Sequence, residues 1–315
     1  MTNPVKIQNI KFQPILLKTL LNERIQFIWK DFSANSKNIE YKPFIKWVWW
    51  KRQLLTQFKE LYPQNFKNYI EPFLWGWAVF FDLKNQWKIQ YSAILSDINE
   101  ELVNAYEVVK KDVENLIKQL EVFKYKHSKE FFLYIRSRDK RPGFKLIPNY
   151  IRAARFIYLN RTCFNWMYRV NSKWFFNVPF WKYDNPKICD EEWLKIAEYA
   201  LENTKVLCQS FMDIVNQAEK WDFVYFDPPY DILSDTANFT DYIQWGFWRD
   251  KQKELAEVFK KLDEKWCYVM LSNHNTQFIQ DLYKDFRQEV VSAKRMINSD
   301  ATKRWMIEEI VVLNY

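Results

Sequence analysis

The amino-acid sequence predicts an α/β fold in which a doubly wound sheet is interrupted by one long insertion. Short apolar runs alternate with amphipathic helical segments along most of the chain, which is typical of parallel strands joined by helices. About ninety residues separate the second predicted strand from a helix predicted near Asp190. A segment of that length is expected to form a second domain rather than a loop.

The first half of the predicted sheet follows residues 1–40, which lack clear periodicity and are interpreted as an extension of unknown role. A loop at Pro43–Trp50 precedes an amphipathic helix near Lys51–Leu61. The elements expected next are a strand at Tyr69–Phe73, a turn at Leu74–Trp77 leading into a helix from Ala78, a strand at Tyr91–Asp97 and a long helix over Glu100–Phe123.

The second half of the sheet follows the insertion. The expected elements are a helix at Asp190–Asn203, a strand at Phe223–Phe226, a helix at Lys251–Leu262, a strand at Cys267–Ser272, a helix at Gln277–Phe286 and closing strands at Glu289–Arg295 and Ile307–Leu313. We therefore assign residues 41–110 and 190–315 to the sheet domain and residues 111–189 to the insertion.

Composition excludes several classes of protein. Hydrophobic residues make up 48% and charged residues 27%, which is ordinary for a globular protein. No apolar run reaches membrane-spanning length and no secretion signal opens the chain, so the expected location is the cytoplasm, with no membrane partner. The four cysteines are far apart and the chain has only two histidines, so no metal site is predicted.

The positive charge is concentrated in one segment. The net charge is +8, and Arg136–Lys182 contains eleven Lys or Arg residues against one acid, Asp139. Aromatic residues are interleaved with these cations. Basic side chains suit phosphates and aromatic rings suit exposed bases, so this segment predicts nucleic-acid binding. A solvated basic face is the alternative.

Glycine and tryptophan occur in unusual numbers. About 7% glycine would give roughly 22 residues, whereas the chain has 3 glycines and 16 tryptophans. Tryptophan stands where turns favour glycine, as at Trp166 and Trp221. Some bacterial lineages read UGA as glycine where another code reads tryptophan. The pattern therefore favours glycine at many of these positions, and the alternative is a degenerate, tryptophan-rich protein.

Asp227-Pro228-Pro229-Tyr230 follows the apolar run Trp221–Phe226. Parallel strands deliver functional residues at their carboxyl ends, and the two prolines stiffen the turn. Asp227 and the Pro228 carbonyl can both accept hydrogen bonds from one exocyclic amine, and Tyr230 offers a flat ring for stacking. These groups suit methyl transfer to a nucleobase amine. A simple β-turn is the alternative.

With glycine at the suspect tryptophans, residues 43–315 resemble the Dam-like, D12-class DNA adenine-N6 methyltransferases of the α-group. The matching blocks, in order, are Pro43–Lys51 (PFxKWAGGK), Glu71–Trp77 (EPFxGxG), Leu95–Asn99 (DxN), Asn165–Arg169 (NGLxR), Phe176–Trp181 (FNVPFG), Asp227–Thr240 (DPPYxxLSxTANFT) and Leu271–His274. The resemblance implies a Rossmann-like S-adenosylmethionine-dependent methyltransferase sheet with an inserted, mainly helical DNA-recognition domain.

The resemblance also implies roles for particular residues. The catalytic residues are Asp227, Pro228 and Tyr230, and the cofactor S-adenosylmethionine is bound by Trp47, Lys51, Glu71, Phe73, Gly76, Asp97 and Asp227. The residues that contact DNA are Phe164, Asn165, Met167, Arg169, Asn177 and Pro179. The alternatives are a helix N-cap for Asp97, a core position for Phe73 and a phosphate contact for Arg169.

The implied activity is methylation of adenine N6 in a short duplex DNA site, with GATC as the hypothesised sequence. The partners are double-stranded DNA and, as a further expectation, a cognate restriction endonuclease. Trp49, Trp50, Trp75 and Trp77 would fill the cofactor pocket if they are genuine. The alternative function is then a catalytically inactive DNA-binding protein on the same scaffold. Methylation of cytosine N4 or of RNA is a lesser alternative, and Asp rather than Ser at position 227 disfavours cytosine N4.

Overall fold

The computed structural model describes residues 40–46, 51–74, 78–232, 247, 249–294 and 306–315. Seven strands in this part of the chain form one sheet. They are β1 (Tyr69–Pro72), β2 (Ala93–Asp97), β3 (Thr204–Cys208), β4 (Phe223–Phe226), β5 (Tyr268–His274), β6 (Arg287–Lys294) and β7 (Met306–Leu313). Their spatial order is β3-β2-β1-β4-β5-β7-β6.

The sheet is doubly wound, as the sequence predicts. Five strands run parallel to one another, in the order β3-β2-β1-β4-β5. Strand β7 runs antiparallel to both β5 and β6. The order 3-2-1-4-5 is that of a Rossmann-like fold, in which ligands bind where the strand order reverses. Here that switch point lies between β1 and β4, which are buried along their whole length.

Nine α-helices are present in the described residues. They are α1 (Lys51–Phe58), α2 (Ala78–Asn85), α3 (Glu100–Lys111), α4 (Val113–Tyr125), α5 (Lys129–Ser137), α6 (Asn149–Thr162), α7 (Glu191–Ala200), α8 (Arg249–Glu264) and α9 (Gln277–Leu282). On the sheet face that includes Val224 and Val269, α8 packs Leu255, Phe259 and Leu262 into the core. None of the helices in these ranges is long and apolar enough to span a membrane.

Two predictions about the elements are wrong. The helix expected over Glu100–Phe123 is divided at Asp112, whose φ of −149° is not helical and whose side chain accepts a hydrogen bond from Asn115. Asp112 is the last residue to donate a backbone bond to α3, to the Val108 carbonyl, and it also stands at the N-cap position of α4. Strand β3 lies directly after the helix expected at Asp190–Asn203, where no strand was predicted. It is half-exposed, so its apolar pattern is weak. The other predicted helices and strands are present, β4 with the predicted bounds and the rest with one or both ends shifted.

The insertion is mainly helical, with α4, α5 and α6 as its helices. Its charge is less available to a ligand than the sequence suggests. Arg152 is buried and bonded to Glu100 and Glu101 of α3, and Arg155 pairs with Asp139 at 2.7 Å. Arg161 donates to the backbone carbonyl of Phe44. These three arginines hold the insertion together or fix it to its surroundings, so the solvated cations are fewer than eleven.

The tryptophans have an unusual backbone conformation. The structure describes seven of them, and five have positive φ: Trp87, Trp166, Trp174, Trp221 and Trp266, with φ between 53° and 70°. A bulky residue is a rare outlier in this region, whereas glycine adopts it freely. Gly143 has φ 77°. The clustering of one residue type in this conformation supports the interpretation that glycine belongs at these positions.

Two of these tryptophans terminate helices. After α2, Lys88 N donates to the Leu83 carbonyl and Trp87 N to the Lys84 carbonyl. Cys267 N and Trp266 N make the corresponding bonds to Leu262 and Asp263 after α8. This pair of bonds defines the Schellman motif, whose left-handed residue is usually glycine. Trp87 and Trp266 occupy that left-handed position.

Candidate active site

Three strands of the sheet end around one cavity. Phe73 follows β1, Asp97 is the last residue of β2, and Pro229 lies just beyond β4; all three line a cavity of about 260 Å³. Its other walls include Tyr168 of the insertion and Phe211 after β3. The cavity therefore lies at the switch point of the sheet, where a doubly wound fold binds its ligand.

Asp97 is held at the edge of this cavity by backbone groups. One carboxylate oxygen accepts from Leu74 N and the other from Asn99 N, both at 2.8 Å. Burial raises the pKa of Asp97 to about 6, against the opposing effect of these hydrogen bonds. Helix α3 is capped by Asn99, whose side chain accepts from Glu101 N and Leu102 N. The N-cap alternative for Asp97 is therefore wrong.

Phe73 lies in an aromatic cluster and also lines the cavity. Its ring is stacked on Phe211 with centroids 5.5 Å apart and meets Phe247 edge-on at 5.6 Å. Its φ of 77° is unfavourable for a side chain with a Cβ, and such outliers concentrate at functional sites. Glu71 is buried within β1 and accepts from the Tyr69 hydroxyl at 2.8 Å. Glu71 is not among the described residues that line the cavity.

The remaining cofactor-binding predictions fall at the edge of the described chain. Lys51 is the first residue of α1. Trp47 and Gly76 lie outside the described residues, and their assignment stays a prediction.

Asp227 and Tyr230 belong to a network of hydroxyl groups behind the turn. The Ser272 hydroxyl donates to Asp227 Oδ1 at 3.2 Å, and the Tyr225 hydroxyl lies 2.8 Å from Ser272 Oγ. The Tyr230 hydroxyl donates to Glu309 Oε2 at 2.8 Å. These contacts join the turn after β4 to β5 and β7, and they fix the orientation of both predicted catalytic side chains.

The two proline carbonyls of the turn differ in their surroundings. The Pro229 carbonyl accepts from Gln252 Nε2 at 2.8 Å. The structure records no hydrogen bond from a described residue to the Pro228 carbonyl. Gln252 also accepts from Asn273, and Asn273 Oδ1 accepts from Asp231 N at 2.9 Å. The turn is therefore rigidly held from its far side, and the Pro228 carbonyl is available as an acceptor.

The predicted DNA-contacting residues lie together in the insertion. Phe164 N donates to the Pro179 carbonyl at 3.0 Å, and Asn177 N donates to the Arg169 carbonyl at 3.0 Å. The segments Asn165–Arg169 and Phe176–Trp181 are thus paired, although several residues separate them in sequence. None of the six predicted residues is buried, and Pro179 is exposed. They form one continuous, partly exposed surface.

Arg169 and Asn177 interact through their side chains. Arg169 Nε donates to Asn177 Oδ1 at 2.8 Å. This bond uses the Nε–H group of the guanidinium and restrains its orientation. Sequence reasoning placed the two residues at the same interface without predicting that one orients the other.

Sequence reasoning missed several residues around the predicted catalytic turn. Ser272 lies inside the motif Leu271–His274, which could have indicated it. Glu309 carried no local signal, because two adjacent acids in an apolar strand do not reveal which of them is buried or what it contacts. The described residues contain no cluster of three or more His, Cys, Asp or Glu side chains able to hold a metal ion.

A Rossmann-like sheet with its cavity at the switch point, and a rigid Asp-Pro-Pro-Tyr turn beside that cavity, define the class of the protein. It is a Rossmann-like methyltransferase. Comparison with known sequences identifies the family within this class.

The chain belongs to the D12 class N6 adenine-specific DNA methyltransferase family, whose sequence model matches residues 47–297. A Type II methyltransferase of Lactococcus lactis subsp. cremoris is 42% identical over 279 residues, covering 88% of this chain and 96% of the relative. A Type II methyltransferase of Methanocaldococcus jannaschii is also 42% identical, over 88% of this chain and 100% of its own length. The DNA adenine methylase of Escherichia coli is 32% identical, over 86% of this chain and 95% of its own length.

The relatives confirm the resemblance found in the sequence and the expected activity. The protein is an enzyme that methylates adenine N6 in DNA.

Proposed function

We propose that the protein transfers a methyl group from S-adenosylmethionine to adenine N6 in a short duplex DNA site after the base leaves the helix. One observation carries this proposal: Asp227 and Pro228 begin the turn at the carboxyl end of β4, and Pro229 of the same turn lines the cavity at the switch point. They are two acceptors on a rigid turn, matched to the two N–H groups of one exocyclic amine. We infer that this chemistry takes place in the cytoplasm.

The residues around the cavity fit the proposed cofactor. Asp97 is an acceptor for ribose hydroxyls, and the rings of Phe73 and Phe211 offer apolar surface for a flat heterocycle. Lys51, Glu71, Trp47 and Gly76 are assigned to the same site by their motifs. Bound S-adenosylmethionine supplies an activated methyl group on a sulfonium.

Asp227 and Pro228 act by positioning. The lone pair of adenine N6 is delocalised into the ring and is a weak nucleophile. Hydrogen bonds from both N6–H groups, one to Asp227 and one to the Pro228 carbonyl, favour a geometry in which the lone pair is localised on nitrogen. Tyr230 stacks on the base. S-adenosylhomocysteine would be the leaving group and the excess proton on N6 would pass to solvent, so Asp227 need not remove it.

The insertion, residues 111–189, is the proposed DNA-recognition domain, and residues 41–110 with 190–315 are the catalytic domain. A base inside a duplex cannot reach the cavity, so the adenine must flip out of the helix. Phe164 and Met167 are apolar groups suited to fill or contact the vacated stack, with Asn165, Asn177 and Pro179 beside them.

Arg169 is the proposed reader of guanine. Arginine pairs bidentately with guanine in the major groove, and a good pair discriminates by about 1–3 kcal/mol. The hydrogen bond to Asn177 holds the guanidinium in a defined orientation, which a base-reading role requires and a phosphate contact does not. The hypothesised site is GATC or a close relative. Two relatives are named Type II methyltransferases, which supports a cognate restriction endonuclease as a partner.

Glycine in the cofactor loop is a condition of this function. We define the glycine chain as the full sequence with glycine at Trp49, Trp50, Trp75, Trp77 and at the five tryptophans with positive φ. A peptide mass spectrum of the protein from its native host shows directly whether glycine or tryptophan is present at these positions. Tryptophan masses at 75 and 77, together with absent cofactor binding, would favour the inactive DNA-binding alternative.

Asp227→Ala in the glycine chain tests the assignment. We expect methyl transfer to fall by about 10²–10³ or more, the range for loss of one aligned charge-stabilising group. DNA binding in a mobility-shift assay should change little, because Asp227 lies in the sheet domain rather than in the insertion. A variant with near-normal turnover would refute the role of Asp227.

A further inference from the structure

We propose that Glu309 is a positioning residue for the methylation reaction: it fixes the Tyr230 ring in advance of the flipped adenine, while Ser272 fixes Asp227. The inference rests on the proposed function and assigns a role in it to a residue 79 positions beyond Tyr230.

The sheet brings Glu309 to the catalytic turn. In the antiparallel pair of β5 and β7, Glu309 lies opposite His274. Residues opposite each other, and residues two apart on one strand, share a face of the sheet. Ser272, His274 and Glu309 therefore face the same side, and all three contact Tyr230 there.

Tyr230 is restrained at two points. Its hydroxyl donates to Glu309 Oε2 at 2.8 Å. The His274 ring meets the Tyr230 ring edge-on, with centroids 4.9 Å apart and an interplanar angle of 77°. A tether at the hydroxyl and a contact on the ring together fix the plane of the ring. A ring already held in place stacks on a base without an added ordering cost.

The hydroxyl protons in this network can be assigned consistently. The Tyr230 hydroxyl donates to Glu309 Oε2, so its proton points there. The Tyr225 hydroxyl, 2.8 Å from Ser272, then donates to Ser272 Oγ, and the Ser272 proton is left for Asp227 Oδ1 at 3.2 Å. Each of the three hydroxyls donates once. Tyr230 Oη and Ser272 Oγ, 3.3 Å apart, link the two halves of the network.

Glu309 is buried, and the hydrogen bond from Tyr230 is one of its polar contacts. Its exposed fraction is 0%, and a carboxylate is almost never fully buried unless it is paired. Its neighbour Glu308 is exposed and bonds to Asn275 on the other side of the strand. Two adjacent glutamates on one strand thus have different environments, and they provide a matched pair for substitution.

The test compares Glu309→Leu, Glu309→Gln and Glu308→Gln in the full glycine chain by single-turnover methylation of duplex DNA. Loss of a hydrogen bond to a charged group predicts that Glu309→Leu lowers the turnover rate about tenfold or more, with KM for DNA and cofactor within about twofold. Glu309→Gln keeps an acceptor for the Tyr230 hydroxyl and should recover most of the rate. Glu308→Gln should match the parent.

Tyr230→Phe provides the second arm. It removes the hydroxyl but keeps the ring, and it should lower the rate about as much as Glu309→Leu. Glu309→Leu added to Tyr230→Phe should then cost little more, because both changes break one contact. With 2-aminopurine at the target adenine, the fluorescence of the bound complex should change in Glu309→Leu and not in Glu308→Gln.

Additive losses, a normal rate in Tyr230→Phe, or a rate in Glu309→Leu equal to that in Glu308→Gln would each overturn the proposal. If Glu309→Leu does not fold, Tyr230→Phe and Glu309→Gln still decide it. A glycine chain that methylates DNA while the Glu309 and Tyr230 variants are normal refutes this inference alone. A glycine chain that does not methylate DNA refutes the proposed function and this inference with it.

Discussion

The backbone at Trp87 and Trp266 makes a prediction about stability. Both residues occupy the left-handed position of a Schellman motif, with φ of 57° and 62°, and both are largely exposed, at 66% and 65%. Replacing each by glycine should relieve backbone strain and lose little packing. We therefore expect the double variant Trp87→Gly/Trp266→Gly to be more stable than the chain with tryptophan.

The magnitude follows from two opposing effects. A left-handed residue with a Cβ costs about 1–2 kcal/mol. Glycine gives back about 0.5–1 kcal/mol of this through its greater freedom in the unfolded chain. The net gain is about 0.5–1 kcal/mol at each site, or about 1–2 kcal/mol for the pair. For a domain of this size such a gain raises Tm by about 2–8 °C.

The assay is thermal and urea unfolding followed by circular dichroism. Trp87→Ala is the first control, because alanine removes the indole but keeps the Cβ and therefore the strain. Trp193→Gly is the second. Trp193 lies within helix α7, where glycine costs about 1 kcal/mol relative to alanine. It should destabilise the protein.

Two results would refute this reasoning. One is a loss of stability in Trp87→Gly/Trp266→Gly as large as that in Trp193→Gly. The other is a gain in Trp87→Ala equal to that in Trp87→Gly, because the benefit would then come from removing an exposed indole and not from φ.

Three further predictions concern the site and its frame. Burial raises the pKa of Asp97 to about 6. The affinity for S-adenosylmethionine, measured by calorimetry, should therefore fall as pH is lowered through about 6. The variant Asp97→Asn should bind the cofactor weakly and without this pH dependence. Because the folded-state pKa of Asp97 is raised, this residue favours folding at low pH and loses that contribution as pH rises through about 6. At neutral pH and without cofactor, Asp97→Asn should therefore stabilise the protein. An unchanged Tm would contradict this expectation. Arg169→Ala should lower methylation about tenfold or more at sites with guanine 5′ to the adenine, whereas equal loss at all sequences would return Arg169 to a phosphate contact. Asn99→Ala removes the N-cap of α3 and should cost about 1 kcal/mol in urea unfolding, and no change there would show that the cap bonds are replaced by solvent.

The sequence predicts the sheet well where strands are fully buried. Phe223–Phe226 is a continuous apolar run, and it is β4 with those bounds. Strand β3 was missed because only part of it is buried, so it has no continuous apolar run. The break at Asp112 was missed because the apolar spacing continues across it from α3 into α4. Regular spacing of apolar residues shows which side of a segment is buried, but it does not show where the helical backbone is interrupted.

The sequence can propose site residues where a motif joins adjacent positions. Asp227, Pro228 and Tyr230 are proposed because one turn carries all three, and Asp97 because it ends a strand. Glu309 could not be found in this way. Its role depends on the register of β5 with β7, which brings it opposite His274. Sequence spacing gives no information about such a register until the sheet is assembled.

The most direct test of the account is methylation of duplex DNA by the glycine chain with labelled S-adenosylmethionine, followed by mass analysis of the nucleosides and sequencing of the modified sites. The account predicts N6-methyladenine as the product, at a short site with guanine 5′ to the adenine, and no product from the chain with tryptophan at 75 and 77. N4-methylcytosine, or no methylated nucleoside from the glycine chain, would contradict it.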